Sequence, residues 1–347
     1  MARSRLAGPV IFLPMTGDSG NAPLFIGHDA VRSALESGSA VAALRAVYAL
    51  PHGSATSPPR TVARDGGARL RTLSAVLPSG DVMGAKILAQ PTSAPSTYLI
   101  ALFDQRAGKL IALLDAEAIT AARTGATSAL AVDEMTPEGP LRLGILGAGA
   151  EARSHVHAIA SVRPLESVRV FSPTPASREA FAAEITQKLG VEAQALSSPR
   201  EVVEASSTVV CAARSRGEVP VFDGSWLSEG TLVASVGSTL PEQRELDVTA
   251  LERAKLIVAD APEEVLDGSG DCIAAVEAGF DLAAKTIALN ELIRKAEGSD
   301  IDHTAINIFK SVGSAIQDLA VAKLVLDRAT AHGDAEPLPI HLTPKGT

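Results

Sequence analysis

The segment LRLGILGAGAEARSHVHAIA, residues 141–160, carries the most chemically specific spacing in the chain. Gly147, Gly149 and Ala152 fit the pattern GxGxxA, directly after an apolar run and directly before a helical pattern. Gly147 suits a tight turn, Gly149 lets the backbone approach a pyrophosphate, and Ala152 lets helix and strand pack closely. The helix N-terminus would then face the phosphates. A lone motif of this kind is weak evidence, but its strand–turn–helix context is the one that dinucleotide binding requires. An NAD site usually places an acid about 20 residues further on. Here that position reads Phe171-Ser172-Pro173-Thr174, and no acid is present. Arg178 follows, with Ser172, Thr174 and Ser177 as hydroxyl groups. A missing carboxylate removes repulsion against a 2′-phosphate, and Arg178 can pair with one. NADP is therefore expected ahead of NAD. Arg178 taken alone reads equally well as a solvated helix residue.

A nicotinamide enzyme must also orient a substrate. Lys86 lies within the apolar run VMGAKILA, Arg123 within the small-residue run TAARTGATSA, and Arg60 follows a proline pair. A lysine centred in an apolar strand is costly to bury unless paired. Its pKa can then fall, which suits proton transfer. An arginine among small residues can grip a carboxylate with two hydrogen bonds. Composition leaves each of the three open between this role and snorkelling to the surface. His155 and His157 are two apart on a helix, so they point to different faces and read as packing or surface residues rather than metal ligands. No metal site is expected.

The elements that must position these groups fall into two textures. Up to about residue 140 helix and strand patterns mix. Residues 28–50 read as a helix or two, and GSATSPPR as a loop. RLRTLSAVLP, VMGAKILAQ, STYLIALFD and KLIALLD read as strands, and residues 116–135 as a long Ala-rich helix. From 141 strands expected at 141–146, 167–172, 207–212, 231–236 and 255–260 alternate with helical segments. That alternation implies a parallel, doubly wound sheet. Residues 304–330 add a strand, a glycine turn and a closing helix, and the tail after 331 reads as disordered. The start, MARSRLAGPVIFLPM, reads as a loose tail running into a first strand; it faintly resembles a signal peptide but lacks a small-x-small cleavage site.

Bulk properties narrow the class. A chain of 347 residues suits two domains. Its 46% apolar content can build a large core, and with only 3% aromatics that core must come from Ala, Leu and Val. A formal charge of −9 and no basic cluster argue against a nucleic-acid partner. No apolar run reaches the roughly 18 residues that a membrane span needs. Cys211 and Cys272 form no CxxC, so zinc sites and disulfide frameworks are not expected, and a reduced, cytoplasmic setting fits.

Set beside one another, PPR, GAKIL, LLDAEAITAARTGATSALA, GILGAGAEARSHVHA, GSWLSEG, VGSTLPEQREL, GSGDC and FKSVGSAIQDLAVA resemble the ornithine cyclodeaminase/μ-crystallin family. They occur in that order and cover most of residues 58–325. The combination is specific, although no single motif is. The resemblance implies an α/β fold: an N-terminal substrate and dimerisation domain, 1–140, completed by the C-terminal helix, 314–347, and a Rossmann domain, 141–313. It implies a homodimer using NAD(P)(H) on α-amino or α-imino acids. Arg60, Lys86 and Arg123 would surround the substrate carboxylate and the reacting nitrogen. Gly147, Gly149, Ala150 and Glu151 would line the pyrophosphate, and Ser172 and Thr174 the adenosine ribose. Ala212 and Ala213 replace a threonine-rich strand end. Ala213, Gly237 and Ser311 would complete the cofactor side, with Ser311 near the nicotinamide, and Leu240 would lie on the substrate side. Segments near 88–98 and 262–275 would form loops around the substrate side chain.

The sequence departs from the family pattern at one informative place. Cyclodeaminases and the related alanine dehydrogenase carry an aspartate where this chain has Thr239, and Gln243 stands where a cofactor-contacting lysine can occur. Cyclodeamination needs oxidation, ring closure with ammonia loss, and re-reduction, and an ionised carboxylate serves proton shuttling in those steps. Threonine cannot ionise. Reduction of a preformed imine needs only a bound carboxylate, a protonated nitrogen and a hydride, with Thr239 as a hydrogen-bonding group and Lys86 assisting protonation. The expected activity is NAD(P)H-dependent reduction of an α-imino acid, cyclic or linear, to the amino acid. The alternatives are an amino-acid dehydrogenase or opine-type enzyme, an ornithine or lysine cyclodeaminase, and a non-catalytic cofactor-binding protein.

Overall fold

The computed structural model describes residues 22–213, 219–295 and 301–343. The apolar start of the chain at 9–15, expected to lead into a strand, lies outside the described residues. The chain divides into two compact units, one running to Arg123 and resuming at Ser314, the other spanning Thr124–Gly313. The division falls inside the helix Glu117–Met135, so residues 124–140 group with the second unit and not with the first as the sequence reading had placed them.

In the first unit, alternating apolar and polar residues give the strands β1 Leu24–Ile26, β2 Thr61–Asp65, β3 Ala68–Val76, β4 Val82–Gln90, β5 Thr97–Asp104 and β6 Leu110–Asp115. β2 to β6 form an antiparallel meander, and β1 adds in parallel to β6. Gly66, at φ 55°, sits in the tight turn between β2 and β3, a conformation that costs glycine nothing. Residues 28–50 resolve into two helices, His28–Ala34 and Ser37–Tyr48. The C-terminal helix Ala315–His332 is buried without a break from Ala315 to Leu326 and packs on Ser37–Tyr48 and on β3 to β5. It ends at Gly333 in the left-handed conformation. Part of the tail expected to be disordered is ordered: Glu336–Pro337 forms a short strand paired with β1, and Leu338 N–H donates to the Pro23 carbonyl. The open edge of β1 supplies hydrogen-bonding partners that composition does not reveal.

The second unit carries β7 Leu141–Leu146, β8 Leu165–Phe171, β9 Ala193–Ala195, β10 Thr208–Cys211, β11 Leu232–Ser235, β12 Leu256–Ala259, β13 Thr286–Ala288 and β14 Asn307–Lys310. Every pairing is parallel, in the order β13-β12-β14-β11-β10-β7-β8-β9. This is the doubly wound sheet that the strand–helix alternation implies. The short edge strands β9 and β13 were not expected; three residues are too few for a periodicity to register. Residues 262–275, expected as loop, form the helices Pro262–Gly268 and Gly270–Glu277. Among the described residues no helix is long and apolar enough to cross a membrane.

Candidate active site

In the first unit Lys86 stands at the middle of β4 and is 3% exposed. Its Nζ lies 2.8 Å from each carboxylate oxygen of Asp318, one of these contacts being a hydrogen bond. Arg123 Nε lies 2.9 Å from Asp318 Oδ1, an ion-pair contact without hydrogen-bond alignment, and its Nη1 donates to Gln317 Oε1 at 2.8 Å. Gln317 Nε2 in turn donates to the Tyr48 hydroxyl at 2.9 Å. One buried carboxylate thus serves two buried cations, and the amide beside it fixes the guanidinium. Burial pushes the Lys86 ammonium down to about 8; Asp318 opposes this shift, while Arg123 and, more weakly, Arg60 add to it. Arg60, half-buried just before β2, therefore shares the electrostatic field of Lys86. An ammonium with a pKa near neutrality holds a proton and can release it.

Asp318 and Gln317 were not singled out from sequence. The available signal was a Gln-Asp pair inside an otherwise apolar stretch, AIQDLAVA. A charge there is affordable only with a partner, but which partner depends on how the helix packs.

In the second unit the glycine-rich turn has the geometry that a dinucleotide needs. Gly147 has φ 120°, and a Cβ there would lie 2.6 Å from the Ala212 carbonyl oxygen, so only glycine fits. The obstructing atoms are all backbone, the Ala212 carbonyl and the Ala213 nitrogen just after β10. A Cβ on Gly149 would meet no atom within 4 Å, so this side of the turn opens to a ligand. Gly149 and Ala150 are exposed, Glu151 is half-buried, and Ala152 is fully buried against the sheet. Helix Ala150–Ala160 starts with no side-chain cap on its first amides. The turn, its open side and its uncapped helix start fit a bound pyrophosphate.

At the end of β8, Ser172 is buried and its hydroxyl donates to the Thr174 carbonyl at 3.2 Å. Arg178 Nη1 donates to the Ser172 carbonyl at 2.9 Å and the guanidinium lies 5.7 Å from the centre of the Phe171 ring. Arg178 is thus anchored at the strand end rather than loose on the helix. His155 is buried, with Nδ1 2.7 Å from the Glu151 carbonyl and Nε2 3.1 Å from Ser128 Oγ. Burial, with help from Lys188, lowers the pKa of His157. Cys211 and Cys272 are both buried and unbonded, and burial pushes both thiols up.

The turn after β11 is closed by its own side chains. Thr239 N–H and Oγ1 both donate to Gln243 Oε1, at 2.9 and 3.1 Å. Leu240 is buried, and its carbonyl accepts from Gln243 and Gly270. Gly237 is held by Glu245, whose Oε2 accepts from Ser235 Oγ at 2.6 Å, Val236 N at 2.9 Å and Gly237 N at 2.8 Å. Lys310 Nζ donates to Ser235 Oγ at 2.7 Å and to Asp271 Oδ2 at 2.8 Å, and Asp271 Oδ1 accepts from Glu245 N. Glu245, Asp271 and Lys310 are all fully buried. Burial pushes the Glu245 carboxyl up to about 7, although Lys310 pulls the other way. Burial also acts to lower Lys310, but Asp271 and Glu245 outweigh it and hold it above its ordinary value. Ser311 Oγ donates to Asp260 Oδ2 at 2.6 Å, and Asp260 also accepts from Val312 and Gly313 N–H. Glu245, Lys310, Asp271 and Asp260 were not anticipated from sequence. Lys310 reaches Ser235, and through it Glu245, because β14 pairs with β11, and Asp260 reaches Ser311 because β12 pairs with β14. Among the described residues no cluster of His, Cys, Asp and Glu could hold a metal ion.

Residues 31–333 match the profile of the ornithine cyclodeaminase/mu-crystallin family. The chain is 32% identical over 319 residues to the ketimine reductase mu-crystallin of Mus musculus, covering 88% of this chain and 97% of the mouse protein. It is 33% identical over 236 residues to a Δ1-pyrroline-2-carboxylate reductase of Bacillus cereus, covering 68% of this chain and 72% of that protein. Among solved structures, Δ1-pyrroline-2-carboxylate reductase of Thermococcus litoralis, in complex with NADH and L-proline, superposes with a TM-score of 0.83 at 28% identity, over 91% of this chain and 100% of that one. Fold, glycine turn and sequence agree, and the chain belongs to the ornithine cyclodeaminase/μ-crystallin family.

Proposed function

We propose that this chain is an NAD(P)H-dependent reductase of α-imino acids, taking a ketimine to the amino acid. The observation that carries the reading is the buried Lys86–Asp318–Arg123 cluster, which offers a proton at a near-neutral pKa beside a fixed guanidinium. In this reading Arg123 and Arg60 hold the substrate carboxylate. Lys86 Nζ gives its proton to the imine nitrogen, and Asp318 keeps the ammonium in place and charged until it does. A dinucleotide held on the glycine turn of the second unit would supply the hydride that imine reduction requires. Thr239 cannot ionise and its hydroxyl is committed to Gln243, which favours imine reduction over deamination. Leu240, with its side chain buried, shapes the turn that carries Thr239.

The second unit is the dinucleotide domain in this reading. Gly147, Gly149, Ala150 and Glu151 lie along the pyrophosphate, Ser172, Thr174 and Arg178 along the adenosine ribose, and Ala213, Gly237 and Ser311 toward the nicotinamide. Arg178, anchored at a strand end without an acid, favours NADP over NAD. The first unit is the substrate and dimerisation domain. Residues of β3 to β5 facing away from Lys86, among them Leu70 at 47% and Val76 at 43% exposure with half-buried Ile87, Leu99 and Phe103, form an apolar sheet face. Such a face suits a second copy of the chain. Two unbonded, buried cysteines suit a reduced, cytoplasmic location.

The test is oxidation of NADPH and NADH against cyclic imino acids, and against 2-oxo acids supplied with ammonium. Turnover of preformed imines is expected, with Lys86→Ala losing most of it while still binding the nucleotide. Full activity of K86A, or net formation of proline from ornithine with catalytic NAD, would overturn the reading.

A further inference from the structure

The face of the first sheet that bears Lys86 carries more positive charge than one substrate carboxylate can use. Directly opposed residues on neighbouring strands share a face, as do residues two apart on one strand. Leu73 opposes Lys86, Arg71 opposes Leu88, Arg69 opposes Gln90, and Arg64 opposes Arg69. Arg64, Arg69, Arg71 and Lys86 therefore lie on one face, and so does Tyr98, which opposes Leu88 from the other side. Arg71 is the diagonal neighbour of Lys86. It is half-buried, and its Nε is buried with no hydrogen-bond partner. Among the described residues none offers its guanidinium an ion pair, whereas Lys86 and Arg123 already share Asp318. A guanidinium cannot shed its charge. Burial, then Arg60 and Arg69, work against that charge, and Tyr98 works for it. A cation held in this way, one step along the sheet from the proton donor, is prepared for an anion that arrives with the substrate.

We propose that the imino acid reduced here carries a second carboxylate, which Arg71 binds with the Tyr98 hydroxyl beside it. The substrate class is then the imine of a short-chain 2-oxo diacid. The inference rests on the reductase reading above and adds the substrate's second charge to it. Reduction consumes one hydride and one proton at the C=N bond and leaves both carboxylates untouched.

The test compares oxaloacetate and 2-oxoglutarate, each with ammonium, against pyruvate with ammonium and Δ1-pyrroline-2-carboxylate, following NADPH or NADH oxidation. The native chain should favour a diacid by more than tenfold in kcat/KM. Arg71→Met should lower the ratio of diacid to monoacid kcat/KM by roughly 10- to 100-fold, the range for losing hydrogen bonds to a charged group, and mainly through KM. Arg71→Lys should recover part of that ratio, and Tyr98→Phe should lower it by a smaller factor. A native enzyme that prefers monoacids, or an R71M ratio equal to the native one, overturns the second carboxylate and leaves the reductase reading standing. Nucleotide binding with no turnover of either class overturns both.

Discussion

Replacing Asp318 with asparagine keeps the shape of the cluster and removes the one anion that two buried cations share. Asp318 lies 2.8 Å from Lys86 Nζ and 2.9 Å from Arg123 Nε, with no exposed surface on its side chain. A unit charge pair at that separation is worth about 6 kcal/mol at an effective dielectric of about 20. Relaxation and water entry reduce the net loss, and breaking a buried pair by removing one partner typically costs about 3–5 kcal/mol. A loss of that size in urea unfolding is the first expectation for D318N. The second concerns the proton. In the native chain burial already brings Lys86 down to about 8, with Asp318 resisting. Without Asp318 the ammonium falls further. Activity that needs protonated Lys86 declines as pH rises through its pKa, so the alkaline limb of kcat/KM should stand near pH 8 in the native enzyme and below it in D318N. Each unit of displacement below the assay pH costs roughly tenfold in the protonated fraction. The assay is kcat/KM for imine reduction across this range, on one substrate for both proteins so that the titration of the substrate cancels. An unmoved alkaline limb in a folded D318N would refute the role given to Asp318.

Three further outcomes follow from the second unit. Glu245→Gln should flatten a stability slope: the native carboxyl, raised from 4.5 to about 7, holds a proton that the unfolded chain has released, so native stability falls as pH rises through that window, by up to about 1.4 kcal/mol per unit. Equal slopes between pH 5 and 7 for native and E245Q chains in urea titrations would argue against a raised carboxyl. Gly149→Val places its Cβ where no protein atom lies within 4 Å, so melting should be little changed while dinucleotide affinity, by fluorescence titration, drops at least tenfold; unchanged affinity would remove the turn from the cofactor site. Arg178→Ala should cut the NADPH-to-NADH ratio of kcat/KM by roughly tenfold or more, the worth of a charge-assisted contact to a 2′-phosphate, and an unchanged ratio would return Arg178 to a purely structural place against Phe171.

Local pattern made much of the protein legible. The GxGxxA turn is readable because the constraint is local: Gly147 needs a positive φ and Gly149 needs open space, and both needs show in residue type alone. The parallel sheet follows from strand–helix alternation, and Lys86 stands out as a charge in an apolar strand. What the sequence could not convey is partnership across distance. Asp318 lies 232 residues from Lys86, and Lys310 lies 39 from Asp271. Their pairing depends on which strands become neighbours and on where the C-terminal helix settles, and no residue pattern encodes a separation of that kind. The ordered tail at Glu336–Pro337 has the same origin, since its partner is the edge of β1 at the opposite end of the described chain. The identity of the ionisable groups is therefore written in the sequence. Their pKa values, set by burial and by a shared counter-charge, exist only once the tertiary structure has removed water and brought distant carboxylates within hydrogen-bonding reach.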